Sequence, residues 1–301
     1  MEIILERNQR MHSYLRPIGF SRYINKIRVN DIIKKVMEKP DYKSELMVTT
    51  EETIFEFRKD FCKDMGIAVH GIVNEKQEYE IEYYFPYYVG NNIIIAEDLA
   101  MEKNVSSSSY YGMTEDFRVG VSLIFYVVNC LGYVDRCIQG MGMPRYTPVS
   151  YSALAISGKI LLPVKKTRED IQRNKSALKN RNKLISAAKR GDEKAMESLT
   201  VSELDTYTKI TGRILKEDVY SIVDSTFMPY GVSCDRYSIL GTILFIEMDR
   251  NIITNEEIYK LTIECNDLRF NLAINKADLV GVPEIGRRFK GIIWLQGMVG
   301  F

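Results

Sequence analysis

Tyr79, Ile81, Tyr83 and Phe85 alternate with Glu78, Glu80 and Glu82 along one unbroken stretch. Side chains of an extended backbone point to opposite faces at every step, so as a strand this stretch has one aromatic and one acidic face. A helix would mix the two sets around its circumference. The segment is therefore bound to a sheet with one covered face. Residues 74–77 supply a hairpin loop before it. Pro86, which has no N–H to donate, ends the ladder or confines it to an edge.

A covered face needs something to cover it. Ile32, Ile33, Val36 and Met37 recur at helical spacing after Asn30 and stop before Pro40, which predicts a short helix capped by Asn30. Val121 to Val128 is apolar on both faces, as a central buried strand requires, and residues 153–164 read as a further strand broken at Gly158. His70 falls in mid-strand, the setting of a half-buried, hydrogen-bonded histidine.

Beyond about residue 217 the pattern is almost all strand. Residues 237–248, 257–264, 268–275 and 287–297 read as short strands, with a turn at Asn266 and Asp267. So many short strands in so little chain point to a small antiparallel barrel of the oligonucleotide-binding type.

Between these regions the charge is uneven. Residues 165–194 hold eleven Lys or Arg against four Asp or Glu, although the whole chain has a formal net charge of only +1. Ile171, Leu178 and Ile185 recur every seven residues there, so the basic stretch reads as helix with an apolar stripe. The Arg-Gly-Asp at 190–192 breaks it, a second helix follows from Glu193, and Thr200 with Glu203 forms a capping box that opens a third. The expected fold is α+β: a mixed domain over 1–164, a basic helical connector over 165–216 and the barrel over 217–301.

Several chemistries lack their residues. Five scattered cysteines without a Cys-x-x-Cys pair, and two histidines, His12 and His70, give no motif for zinc. The thiols read as reduced. No apolar run approaches the roughly 20 residues of a membrane-spanning helix, and Glu6 and Arg7 interrupt any leader-like start, so a cytoplasmic protein is expected. Asn275, Lys276, Ala277 and Asp278 copy a guanine-reading tetrad, but no phosphate-cradling glycine loop precedes them. The expectation there is a turn capped by Asp278. Residues 140–145 lack the third glycine of a dinucleotide loop, and no Gly-x-Ser-x-Gly elbow occurs. No cofactor is expected.

The last predicted strand puts Phe289, Ile293 and Leu295 on one face and Arg288, Lys290, Ile292, Trp294 and Gln296 on the other. The first face is core. The second sets the single tryptophan beside two cations, a pattern that suits base stacking or docking of a protein partner. Lys260 and Arg269 extend that surface.

Five stretches, residues 11–20, 82–87, 120–126, 217–241 and 265–297, together resemble a family of clostridial Gram-positive bacteria catalogued as domain of unknown function 3881. The likeness spans nearly the whole chain. It implies Met11 as the usual start, with residues 1–10 an extension, and it transfers no catalytic residue, since the family has no assigned activity. The expected function is a non-enzymatic binding or assembly module that contacts a protein or nucleic acid through the barrel around Trp294, Arg288, Lys290, Arg269 and Lys260. The alternative is an enzyme, hydrolase-like, with a dispersed site drawn from His70, Asp235, Arg236 and Asp267.

Overall fold

The computed structural model describes residues 12–23, 25–50, 52–105, 107–116, 121–164, 191–201 and 219–301, with scattered positions between 176 and 188. The first sheet is an antiparallel meander of β1 (Tyr42–Met47), β2 (Thr53–Cys62), β3 (Met65–Val73) and β4 (Tyr79–Tyr88) in sequence order. Helix α1 (Lys26–Glu38) and a 3-10 helix at Ser13–Ile18 pack near it. The apolar stripe of α1 is buried as its spacing demands, but the helix starts a turn earlier than Asn30, because Asn25 accepts a hydrogen bond from the Arg28 N–H. Pro86 lies inside β4, which is an edge strand.

The second sheet has eleven strands. In chain order these are β5 (Ile93–Glu97), β6 (Ala100–Lys103), β7 (Tyr110–Asp116), β8 (Val121–Val127), β9 (Tyr146–Leu161), β10 (Thr226–Pro229), β11 (Arg236–Arg250), β12 (Glu257–Cys265), β13 (Leu268–Asn275), β14 (Leu279–Val280) and β15 (Arg288–Val299). Helix α2 (Cys130–Ile138) follows β8, and a helical turn at Val219–Ile222 precedes β10. The turn between β12 and β13 falls where the sequence puts it, with Asn266 and Asp267 both at positive φ. β9 runs unbroken through Gly158.

The α+β reading, with 165–216 as a helical connector, does not stand: strand outweighs helix, 50% to 20%, in two large sheets. Most of 165–216 lies outside the described residues, Lys175 and Lys179 of the predicted basic face among them; the described positions between 176 and 188 are helical. Residues 193–201 are helical as expected, but Thr200 sits within that helix and donates to the Met196 carbonyl, so it opens no new one.

The barrel is corrected as well. Residues 217–301 do not close on themselves as an antiparallel unit, because β13 and β15 are both hydrogen-bonded to β9, β13 in parallel. The hydrogen-bonded path runs β11, β12, β13, β9, β15 and back to β11, a closed belt that borrows one strand from before the basic segment. Sequence spacing shows local hairpins; a strand supplied from about 75 residues upstream leaves no local trace. β11 is long enough to serve three neighbours, pairing β15 through residues 236–242, β10 through 237–240 and β12 through 242–250.

Alternation along β9 and β15 builds two cores. Ala153, Ala155, Phe289, Ile293 and Leu295 join one apolar cluster with Phe270 and Leu272, while Leu154 and Trp294 join a second with the first sheet and α1. Gln296 ties the sheets together: its side-chain amide donates to the Pro86 carbonyl at 2.8 Å, its carbonyl accepts from the Tyr88 N–H at 3.0 Å, and it is fully buried. Gln296→Leu leaves both backbone groups unpaired in the interior. We expect a loss of about 2 kcal/mol in urea unfolding; an unchanged midpoint would show that the two sheets do not depend on this bridge.

Candidate functional site

β15 turns Trp294 away from Phe289, Ile293 and Leu295, as period-two alternation requires, yet the indole is only 4% exposed. It is the centre of an aromatic cluster. Its ring lies 4.7 Å from His12, 5.2 Å from Tyr14 and 5.1 Å from Tyr126, centroid to centroid. Its Nε1–H donates to Asp235 Oδ2 at 2.5 Å, and the Asp235 carbonyl accepts from the Leu295 N–H at 2.9 Å. Asp235 stands just before β11, whose first residue, Arg236, is the cross-strand partner of Trp294. The β11–β15 register therefore puts an acid, a cation and an indole at one end of the belt.

This end opens into a cavity of about 410 Å³, walled by Tyr14, Tyr84, Tyr111, Tyr126 and Trp294, with Ser109, Asp235 and Arg236 among its polar groups. A second cavity of about 600 Å³ shares Tyr83, Asn104 and Ser107 with the first and is edged by Glu80, Glu82 and Lys103.

The charge state of the first cavity follows from burial. Desolvation, helped by Arg236, lowers His12 to about 4, which keeps it neutral near pH 7. Desolvation also raises Tyr14 and Tyr126, and lifts Tyr111 to about 12, so these hydroxyls keep their protons. Asp235 is raised by burial, against the opposing pull of the Trp294 hydrogen bond and Arg236. The Arg236 guanidinium lies 5.5 Å from the centre of the Tyr14 ring and forms no salt bridge among the described residues. Its neighbouring carboxylate is engaged by the indole. The cavity thus offers aromatic walls, several hydroxyl donors and one permanent positive charge.

The residues singled out from sequence are dispersed. Arg288 lies six positions from Trp294 on β15, roughly 20 Å along an extended strand, and its guanidinium bonds the carbonyls of Leu162, Tyr220 and Val223. Lys290 hydrogen-bonds the Tyr220 hydroxyl and lies over that ring. Lys260 is buried, donating to the Lys63 carbonyl at 3.1 Å, and Arg269 pairs with Glu264 at 2.8 Å on the β12–β13 hairpin. Asp267 occupies the turn of that hairpin. Only Trp294, Asp235 and Arg236 converge on the cavity. Tyr14, Tyr111 and Tyr126 were not legible as wall residues, because they come from separate elements and share no spacing. In the Asn-Lys-Ala-Asp turn, Asn275 rather than Asp278 is the cap; Asp278 instead pairs with Arg16.

One group of metal-ligating side chains does come together: Glu56, His70 and Cys130, whose ligand atoms lie within 4.8 Å of one another. All three are buried, His70 fully rather than by half.

Fold and cavity together define a mostly β protein with an aromatic chamber between two sheets. The chain belongs to the family described as "Domain of unknown function, E. rectale Gene description (DUF3881)", whose model matches residues 15–297. No curated protein and no solved structure matches it. No helix among the described residues is long and apolar enough to cross a membrane.

Proposed function

We propose that the protein is a non-enzymatic binding module that takes up a small organic anion with an aromatic body in the cavity beside Trp294. The observation that carries this reading is Arg236, a cation with no salt bridge among the described residues, set over Tyr14 at an aromatic chamber. A volume of about 410 Å³ falls in the range of small-molecule sites, roughly 300–1,000 Å³. The buried indole favours a guest small enough to enter over a polymer stacking from outside. The walls supply apolar area, the tyrosine and serine hydroxyls supply orientation, and Arg236 supplies selectivity for negative charge. Five free cysteines, three of them buried, support a reducing cytoplasmic setting.

Trp294 is the only tryptophan, so its fluorescence reports on this cavity alone. Titration with a series of aryl carboxylates is expected to give saturable quenching, and the matching uncharged amides much less. Arg236→Gln is expected to weaken carboxylate binding about 10- to 100-fold, the equivalent of losing charge-assisted hydrogen bonds worth about 1.5–3 kcal/mol. Equal affinity for carboxylate and amide, or quenching that never saturates, would sink the reading.

A further inference from the structure

We propose that Glu56, His70 and Cys130 form a binding site for a divalent transition metal, with zinc the best match to the donor set. Glu56 on β2 and His70 on β3 are direct cross-strand partners, so the sheet register alone places carboxylate beside imidazole. Cys130 is the first residue of α2, and the backbone of Leu131 in the same turn favours the charged form of the Glu56 carboxyl, against its burial. The imidazole turns one nitrogen to each neighbour: Nδ1 is 4.0 Å from Cys130 Sγ, and Nε2 is 3.6 Å from Glu56 Oε2.

Three features make this more than a chance cluster. First, the side chains are sealed, with exposures of 1% for Glu56, 3% for His70 and 2% for Cys130. Second, Glu56 Oε1 and His70 Nε2 have no hydrogen-bond partner. Buried polar atoms are nearly always satisfied, and leaving one without a partner costs about 1–3 kcal/mol, so two on neighbouring side chains point to an occupant. Arg58 Nε, 2.7 Å from Glu56 Oε1, adds charge contact but is itself without a well-formed hydrogen bond. Third, the donors are sulfur, nitrogen and oxygen, a mixture that suits zinc. With bonds of about 2.0–2.3 Å, tetrahedral ligand atoms stand roughly 3.3–3.8 Å apart; an ion takes only one of the two imidazole nitrogens, so the three ligand atoms, which lie within 4.8 Å of one another, must close by up to about 1 Å.

Burial disfavours charge on each of the three side chains. Desolvation lifts Glu56 to about 7 and Cys130 to about 12, and lowers His70 to about 3, which keeps its lone pair free. A divalent cation reverses the first two effects, because carboxylate and thiolate then offset its charge and the displaced protons leave to solvent. Tyr83 borders the cluster, its hydroxyl 3.9 Å from Cys130 Sγ and its ring stacked on His70 at 4.9 Å. Tyr83 also lines both cavities, so one side chain separates the site from the chamber and marks the entry route.

The same three residues could instead act as nucleophile, base and orienting acid. A thiol that is 2% exposed and raised to about 12 is poorly placed for attack, and the test separates the two. The full-length chain, stripped with chelator, is titrated with cobalt(II) and with zinc. The expected results are one equivalent bound, a cobalt–thiolate charge-transfer absorption, and a higher melting temperature with zinc. Cys130→Ser is expected to abolish the absorption, and Glu56→Gln to weaken zinc binding at least tenfold. If the serine variant fails to fold, peptide mapping of iodoacetamide alkylation on the wild type decides, with zinc expected to slow modification of Cys130 at least tenfold. No metal bound by the folded wild type, an absorption that survives in Cys130→Ser, or rapid metal-independent alkylation of Cys130 near pH 7 would each overturn the proposal.

Discussion

Gly158→Val is expected to destabilise the protein by about 3–5 kcal/mol, because the inward side of Gly158 is already filled by a neighbour's ring. A Cβ at this position would stand 2.3 Å from Phe289 Cε2, 2.6 Å from Cζ and 3.1 Å from Ile274 Cδ1. Gly158 on β9 sits directly opposite Gly291 on β15, and the Phe289 ring also lies under Gly291, so the two glycines leave the space that one phenylalanine occupies. Phe289 and Ile274 are fully buried. Valine must either expel the ring or part β9 from β15, and that pairing is one of the seams that close the belt. Phe289→Ala alone should cost a similar amount by leaving a void. Valine in the Gly158→Val, Phe289→Ala double variant fills part of that void, so its cost should fall short of the sum by more than about 1 kcal/mol. Urea unfolding followed by Trp294 fluorescence measures all three. Strict additivity, or a Gly158→Val protein as stable as the wild type, would show that the ring does not depend on the glycine.

The same glycine shows where sequence reasoning stops. Gly158 reads as a break in a strand, since an isolated glycine has low strand preference and no side chain to pack. Its reason is a contact with Phe289, 131 positions further on, which periodicity within β9 does not contain. What was legible is what local chemistry fixes. The Glu–Tyr alternation gave β4, the apolar run at 121–128 gave β8 at Val121–Val127, the Asn266–Asp267 turn was placed, and Phe289, Ile293 and Leu295 were assigned to core. Trp294 was rightly put on the opposite face, but a face turned from one core was taken to meet solvent. Here it meets a second core built by β4, β8 and the 3-10 helix at Ser13–Ile18. The buried triad was illegible for a related reason: Glu56, His70 and Cys130 are 14 and 60 positions apart, and only strand register and the docking of α2 bring them together.

Arg288→Met is the second change with a large expected cost, again about 3–5 kcal/mol, and it bears on how the belt holds the segment that leaves it. Arg288 is 4% exposed and spends its guanidinium on three backbone carbonyls: Nε to Leu162 at 2.9 Å, Nη1 to Val223 at 2.7 Å and Nη2 to Tyr220 at 2.7 Å. Leu162 follows the last residue of β9, whereas Tyr220 and Val223 belong to the helical turn at Val219–Ile222 and the residue after it. One side chain therefore fastens the chain where it departs after β9 to where it returns before β10. Hydrogen bonds to a charged donor are worth about 1.5–3 kcal/mol each and are not additive within one group. Methionine keeps much of the apolar stem and removes every donor, so the loss reports on the clamp rather than on packing. Arg288→Lys should recover little, because a single ammonium cannot reproduce a planar fork that reaches three acceptors. Lys290→Met, on the same face two residues along, removes a more exposed contact with Tyr220 and should stay within about 0.5 kcal/mol. Urea midpoints rank the three variants, and limited proteolysis adds a local readout, with cleavage near Leu162 and Tyr220 rising in Arg288→Met. If Arg288→Met unfolds at the wild-type midpoint and resists protease equally, the arginine is not a clamp. Its charge would then be free for the external contact that its place beside Lys290 suggests in the sequence.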